Sequence, residues 1–343
     1  MDAPYSRQSA RSEVPAADTD AERLRSLIAY AVLAPSDRNT QPWTFAVSGE
    51  TLDLLADRSR LMPHGDPDGR TLAISCGAAL YYLRLAARHF GFAAQVDRLP
   101  DRAAPDLLAR IRLVPAPAPT RAEERLFDAI PDRHTNRRPF RHGFVPPYLL
   151  TQLARAAEAE GAWLTVVENA DHREALAELV AEGDRLRMED PDVREERIGW
   201  IRPATSPSQD GLPGYALGLP APLDFATGLL ASLLRHDEHG RGLAFVETTL
   251  ATGPGVLAIL GTAHDAPANH LRAGEALARV LLRATAAGLS ASFLNAPIEV
   301  PALRSRVATY AGRAGWPQLL LRLGYGPDVP PTPRRPAGDV TAS

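Results

Sequence analysis

The chain contains no lysine: all 38 of its basic residues are arginine. That excludes Schiff-base chemistry and any lysine contact to a ligand, and it makes guanidinium the only permanent cation available. Cys76 is the one cysteine in 343 residues, which rules out a disulfide framework and a cysteine-built metal cluster. A surplus of positive charge is also missing, since 41 acidic residues leave a net charge of -3. Nucleic acid is therefore not expected as the main partner, because its binding draws on counterion release by clustered cations. No apolar run reaches membrane-spanning length, and the first residues lack a basic-then-apolar leader. A cytoplasmic location without membrane attachment is expected. No G-x-G-x-x-G follows a strand pattern, so no dedicated dinucleotide domain is expected either.

What is present is a globular composition, 45% hydrophobic and 23% charged, in a chain long enough for two domains. Residues 1–20 are polar and read as a disordered lead. Apolar residues then recur at helical spacing until Pro35. The polar loop Pro35-Ser36-Asp37-Arg38-Asn39-Thr40-Gln41-Pro42-Trp43 follows, pinned by its two prolines. Residues 43–47 and 51–55 read as strands around a Ser48-Gly49-Glu50 turn, 70–90 as a helix closed by Gly91, and 111–114 as a strand.

The second half repeats part of this at an offset of 197, pairing Gly77 with Gly274, Leu80 with Leu277, Leu85 with Leu282 and Gly91 with Gly288. Small residues on one face of both helices predict a close approach across an internal two-fold. The copies keep complementary parts. The first has the Pro-Ser-Asp-Arg-Asn-Thr-Gln-Pro-Trp loop, whereas the second has an arginine stretch, Arg133-His134-Thr135-Asn136-Arg137-Arg138, before a helix at 147–160 and a strand at 162–167. This predicts a single site where the halves meet. Between them lies an excursion at 190–242, rich in proline and glycine, that reads as an irregular lid. Trp200, Tyr215 and Phe225 are its candidate pocket walls.

Several arginine forks beside a hydroxyl and an amide suit a phosphate ester or an anionic heterocycle, although a solvated charge run accounts for the stretch equally well when taken alone. Three motifs read together decide between them. Ala34-Pro35-Ser36-Asp37-Arg38-Asn39-Thr40-Gln41-Pro42-Trp43 resembles the A-P-S-x-x-N-x-Q-P-W segment of FMN-dependent nitroreductases. Residues 133–137 resemble their R-x-S-x-R/K motif, and Leu323-Gly324-Tyr325-Gly326 with Pro333-Arg334-Arg335-Pro336 resembles their last strand and basic tail. The order resembles the Acg-like branch, in which one chain is like a fused nitroreductase dimer, over residues 22–340.

The resemblance implies an α+β, nitroreductase-like fold with pseudo-two-fold tandem halves at 21–120 and 121–340. It also implies central antiparallel or mixed sheets, long helices at the interface and the lid insertion. It implies FMN, with Arg133, Thr135 and Arg137 holding the phosphate and the N1/O2 edge, and with His134 and Gln41 among the contacts. Arg334 and Arg335 complete the phosphate site, Pro35, Ser36 and Asn39 reach in from the other half, and the backbone of Asn295 or Ala296 donates toward N5. One FMN per chain is expected, in a monomer that imitates a dimer. Arg38 departs from the small or imidazole residue common in that loop, and the family's lysine contacts cannot exist. The activity implied is transfer of a hydride or two electrons from NAD(P)H to a nitro compound, quinone or activated alkene, with no catalytic side chain assigned. Two alternatives stand beside it: a flavin-holding protein under a closed lid, and a specialised biosynthetic oxidase or dehydrogenase. His64 and His134 are candidate proton donors. His236 and His239 have helical metal spacing, but a solvated helix end explains them better and no metal is expected.

Overall fold

The computed structural model describes residues 19–342 except 204, 220 and 238. All but the last two residues of the polar lead lie outside the described residues. Those two start the first helix, α1 (Asp20–Ala31), where Thr19 and Glu22 form a reciprocal capping box that satisfies orphan amides of the first turn. The loop with the two prolines leads into β1 (Trp43–Ser48) and β2 (Thr51–Ala56), and α2 (Arg70–His89) follows. Gly69 cannot cap α2 with a side chain. The buried carboxylate of Asp66 does so instead, accepting from the amides of Thr71 at 3.0 Å and Leu72 at 2.9 Å. β3 (Phe92–Arg98), β4 (Leu107–Pro115) and α3 (Arg121–Asp128) complete this half. β3 was not expected from the sequence, because its residues are only partly buried and do not alternate cleanly.

The second half opens with α4 (Pro147–Glu158), β5 (Trp163–Val167) and α5 (Ala170–Glu189). The excursion expected to be irregular is partly helical: α6 (Pro191–Gly199) begins it and α7 (Thr227–His236) lies near its end. Asp190 caps α6 through the amides of Asp192 and Val193, and Pro191 suits the first helical position, a start signal that the proline-rich reading overrode. Between them lie two short parallel strands, β6 (Ile201–Arg202) and β7 (Leu212–Pro213). Then come α8 (Arg241–Thr252), β8 (Val256–Thr262), α9 (Pro267–Ala286), β9 (Ser290–Phe293), α10 (Ala296–Glu299), α11 (Pro301–Thr309), β10 (Trp316–Gly324) and β11 (Thr341–Ala342).

The fold is α+β, and its two sheets repeat one topology. The first runs β1-β2-β4-β3 and the second β5-β8-β10-β9, all antiparallel, with α2 and α9 each leaving the second strand of its own sheet. The first sheet gains β11 as a parallel edge strand beside β1, so the end of the chain returns to the first half. The tight turn between β1 and β2 has as its counterpart everything from α5 to α8, so the insertion exceeds the 190–242 expected.

The helices α2 and α9 are buried on nearly all sides and cross where Gly77 faces Gly274. A Cβ on Gly77 would collide with the Leu271 carbonyl, and one on Gly274 with the Ile74 carbonyl, so backbone packs on backbone here. Both helices end before a left-handed glycine, Gly91 (φ 85) and Gly288 (φ 75). Next to the crossing, Glu275 in the middle of α9 is buried against Arg84 and takes a bidentate fork from Arg98 at 2.7 and 2.8 Å. Gly274→Val should force the helices apart and destabilise the protein by about 3 kcal/mol or more, read by urea unfolding. A loss under ~0.5 kcal/mol would show that the crossing is not tight.

Candidate functional site

The arginine stretch runs as an added strand along the free edge of β9. Thr135 bridges Ala291 in parallel, and the Asn136 amide donates to the Ala291 carbonyl at 2.8 Å. It is hooked from beneath by Arg322, a fully buried arginine in the mostly apolar strand β10. Arg322 donates to the carbonyls of Asn136 at 3.2 Å and Arg138 at 2.8 Å and to the Ser292 hydroxyl at 3.0 Å, and its guanidinium lies 3.7 Å from the centre of the Phe140 ring. Burial pushes its pKa down to about 10. Sequence reasoning missed Arg322; a lone arginine in Leu319-Leu320-Leu321-Arg322-Leu323 was the available signal.

Thr135 and Arg137 line a cavity of about 60 Å³ together with Pro35, Ser36, Arg38 and Asn295. Arg133, His134, Asn136 and Arg334 line a second cavity of about 810 Å³. The loop at 35–43 and the arginine stretch at 133–138 therefore meet, and the C-terminal tail joins them through Arg334.

The loop that reaches in from the first half holds an unusual backbone. Arg38 (φ 44), Asn39 (φ 58) and Gln41 (φ 51) are all left-handed, at about 1 kcal/mol or more each for a residue other than glycine. Bonds from four directions hold it. Gln41 donates its amide to Ser36 Oγ at 2.9 Å, and Asp37 donates its amide to Ser75 Oγ of α2 at 3.2 Å. Asn39 Nδ2 donates to the carbonyls of Gly211 and Pro333, both at 3.0 Å, while Asn39 Oδ1 accepts from Arg334 at 2.8 Å. Gln41 donates to the Gln209 carbonyl at 2.8 Å and accepts from the Arg335 amide at 2.8 Å.

The electrostatics here are one-sided. Among the described residues, no carboxylate lies within 4 Å of Arg133, Arg137 or Arg334. Arg133 is buried, and the Nε atoms of Arg133 and Arg334 are buried without a partner. Burial, and after it the charge of Arg133, pushes the Arg334 pKa down to about 9. Burial and then both arginines push His134 down to about 3. The buried Tyr82 hydroxyl faces Arg133 but meets no partner at hydrogen-bond geometry, and desolvation raises its pKa. A buried guanidinium, a half-buried one and a neutral imidazole thus give this cavity positive charge without negative charge beside it among the described residues.

The insertion closes over this ground. Arg137 donates to the Ala216 carbonyl at 2.8 Å, Arg138 to that of Leu219 at 3.3 Å, and Arg60 pairs with Asp210 at 2.9 Å. Tyr215 donates to the Pro331 carbonyl at 2.8 Å and so ties the lid to the tail. Trp200, Tyr215 and Phe225 line neither cavity: Trp200 lies beside the Arg202 guanidinium, and Phe225 is 80% exposed.

Other expected residues fall as follows. Pro35, Ser36, Asn295 and Thr135 share the small cavity, whose further lining includes Thr71, Ile74 and Ser75 of α2. Asn295 Oδ1 accepts from the Leu320 amide at 2.9 Å, and Ala296 is buried against Gly183. Arg335 turns to the Gln41 and Asp339 carbonyls at 3.3 and 2.8 Å. His64 is half exposed, 3.9 Å from Asp192 and outside both cavities. His236 bonds the Ser232 carbonyl, and no cluster of metal-ligating side chains occurs among the described residues. Cys76 is buried with its thiol pKa pushed well above the usual range. Among the described residues no helix is long and apolar enough to cross a membrane.

This arrangement spans the whole chain, and so do its relatives. A Mycobacterium tuberculosis protein that bears the name of an NAD(P)H nitroreductase, Rv3131, is 35% identical over 94% of this chain and 91% of its own. A second one from that organism, acg, is 31% identical over 92% and 94%. The chain belongs to the nitroreductase family, in its Acg-like branch. A Serratia nitroreductase, PigM, is 25% identical over 93% of the chain. No family model matches. The solved FMN- and NADPH-dependent nitroreductase NfnB of Sphigopyxis superposes on 64% of the chain with 22% identity and a TM-score of 0.42. A Mycobacterium smegmatis NfnB in complex with NADPH gives 0.38 at 19% identity. These scores are too low to carry weight beside the sequence relatives.

The depressed pKa of His134 has a consequence for stability. The unfolded chain takes up this proton near pH 6.5 and the folded protein only near 3, so stability falls as pH drops through that window. From pH 7 to pH 5 the loss from His134 is about 2 kcal/mol. His134→Gln should remove that part of the acid sensitivity, compared by urea titrations at both pH values. An unchanged pH slope would mean that His134 is accessible to protons when folded.

Proposed function

We propose that the protein is an FMN-dependent oxidoreductase of nitroreductase type, which moves a hydride or two electrons from NAD(P)H to a small acceptor such as a nitroaromatic, a quinone or an activated alkene. One observation carries the reading: the Nε atoms of Arg133 and Arg334 are buried without a partner, and among the described residues no carboxylate lies within 4 Å of either side chain. A phosphate monoester has the charge and the acceptor oxygens to satisfy both, with His134 kept neutral beside it. Thr135 and Arg137, which line the small cavity, suit the pyrimidine edge of a flavin. The nitroreductase names of the full-length relatives support the same assignment.

FMN supplies the redox chemistry when bound. The chain's part is to hold it, to place a positive charge at Arg137 where negative charge develops on reduction, and to exclude water through the lid. The small cavity, about 60 Å³, is less than a tricyclic ring requires. Occupancy therefore requires the turn at Gly214–Leu217 to yield at the bond between Arg137 and Ala216. We take the site as one per chain, because the two complementary stretches occur once each, and the protein as a monomer that imitates a dimer.

The packed lid favours a second reading, a flavin-holding protein with little turnover. The bonds of Asn39, Gln41 and Arg137 to residues 209–216 tie the insertion down over the cavity.

Purified protein should be yellow or become so with FMN, and Arg133→Gln should weaken FMN binding by about 10- to 100-fold in a fluorescence titration. A protein that never takes up flavin sinks both readings. Bleaching by NADPH or NADH without oxygen selects the oxidoreductase, whereas flavin reduced by dithionite alone selects the holding protein.

A further inference from the structure

We propose that Tyr82 is a positioning residue for the phosphate end of the flavin, its hydroxyl accepting from Arg133 when a phosphate group occupies the large cavity; the proposal rests on the FMN reading above. Tyr82 lies on α2 in the first half of the chain and is fully buried, whereas Arg133 opens the arginine stretch of the second half. The two side chains face each other. Each carries a buried polar atom without a partner, the hydroxyl of Tyr82 and Nε of Arg133. Such atoms are rare in folded proteins because each forfeits its bonds to water for nothing in return. Two of them facing one another have a common explanation.

The surroundings define the role. The Tyr82 ring belongs to the hydrophobic core, where the ring of a phenylalanine would fill the same space, so packing alone does not call for the hydroxyl. Tyr82 is not among the residues that line the large cavity, whereas Arg133, His134 and Arg334 are. Its hydroxyl therefore acts on a ligand through Arg133. Burial raises the Tyr82 pKa, so the phenol stays protonated and its oxygen accepts from a guanidinium. Among the described residues no carboxylate lies within 4 Å of Arg133 to set the angle of its fork. A planar guanidinium binds phosphate oxygens well only at a defined angle. When phosphate oxygens take the terminal nitrogens, Nε is left to be answered from the protein side, and Tyr82 supplies the acceptor there. One bond then satisfies both orphaned atoms and fixes the fork.

The test compares wild type with Tyr82→Phe, which removes the hydroxyl and nothing else. Affinities for FMN, riboflavin and inorganic phosphate are measured by calorimetry on flavin-free protein, and urea unfolding is followed without ligand. Tyr82→Phe should lower the affinity for FMN and for phosphate by about five- to tenfold and leave that for riboflavin unchanged. Its unfolding midpoint should hold or rise, because the ligand-free protein loses an unsatisfied buried group. An unchanged FMN affinity overturns the proposal. So does an equal loss with FMN and riboflavin, or a lowered midpoint, since either makes the hydroxyl a structural group. Should wild type bind phosphate but no flavin, and Tyr82→Phe bind phosphate more weakly, the positioning role stands and the oxidoreductase reading falls.

Discussion

The whole arrangement depends on the crossing of α2 and α9 at Gly77 and Gly274, where two backbones touch with no side chain between them. Each helix is buried on nearly every face and carries its own sheet, so the crossing fixes one half of the chain against the other. The N-terminal turn of α2 holds the Asp37 loop through Ser75 and anchors the second half through Arg70, which donates to the Gln318 carbonyl at 2.7 Å. A shift of an ångström at the glycine contact would separate the loop at 35–42 from the arginine strand at 133–137. Close packing of this kind is stiff, which is why a site can be divided between halves at all.

On that frame the chain builds an excess of buried positive charge. The absence of lysine matters here, because a guanidinium stays charged under burial that would neutralise an ammonium. Arg322 shows the structural use of the same property, holding the backbone of the arginine strand by two carbonyl bonds. Arg133 and Arg334 differ from it, since among the described residues no carboxylate pairs with them. An anion bound there, as proposed, would offset the cost of that burial and so link ligand affinity to protein stability.

How much of this was legible follows from the kind of signal each part carries. The helices α1, α2, α4 and α9 and most strands were legible because hydrophobic period and glycine or proline stops are local, whereas α3, α5, α8, α10 and α11 were not read. The repeat was legible because close helix contact demands small residues at matched positions. β3 was not, since half-buried edge residues give no clean alternation. The helices α6 and α7 were hidden by a composition of prolines and glycines whose structural meaning is positional: Pro191 starts a helix, as it would not do within one. Arg334 and Arg335 are adjacent and look alike in the sequence, yet one borders the large cavity and the other secures Gln41 and Asp339. Trp200 and Phe225 looked like pocket walls, but hydrophobic character alone does not say which way a loop residue faces.

The sequence by itself determined the family, the α+β class, the internal duplication and the two polar stretches, because local pattern and residue type carry those. Only the tertiary structure decided that Asn39 ties tail to lid, that Arg322 supports the arginine stretch, and that no carboxylate among the described residues pairs with Arg133 or Arg334. The physical reason is range. Periodicity and capping act over a few residues, whereas a charge is compensated or not by groups hundreds of residues away that reach it only when the chain folds.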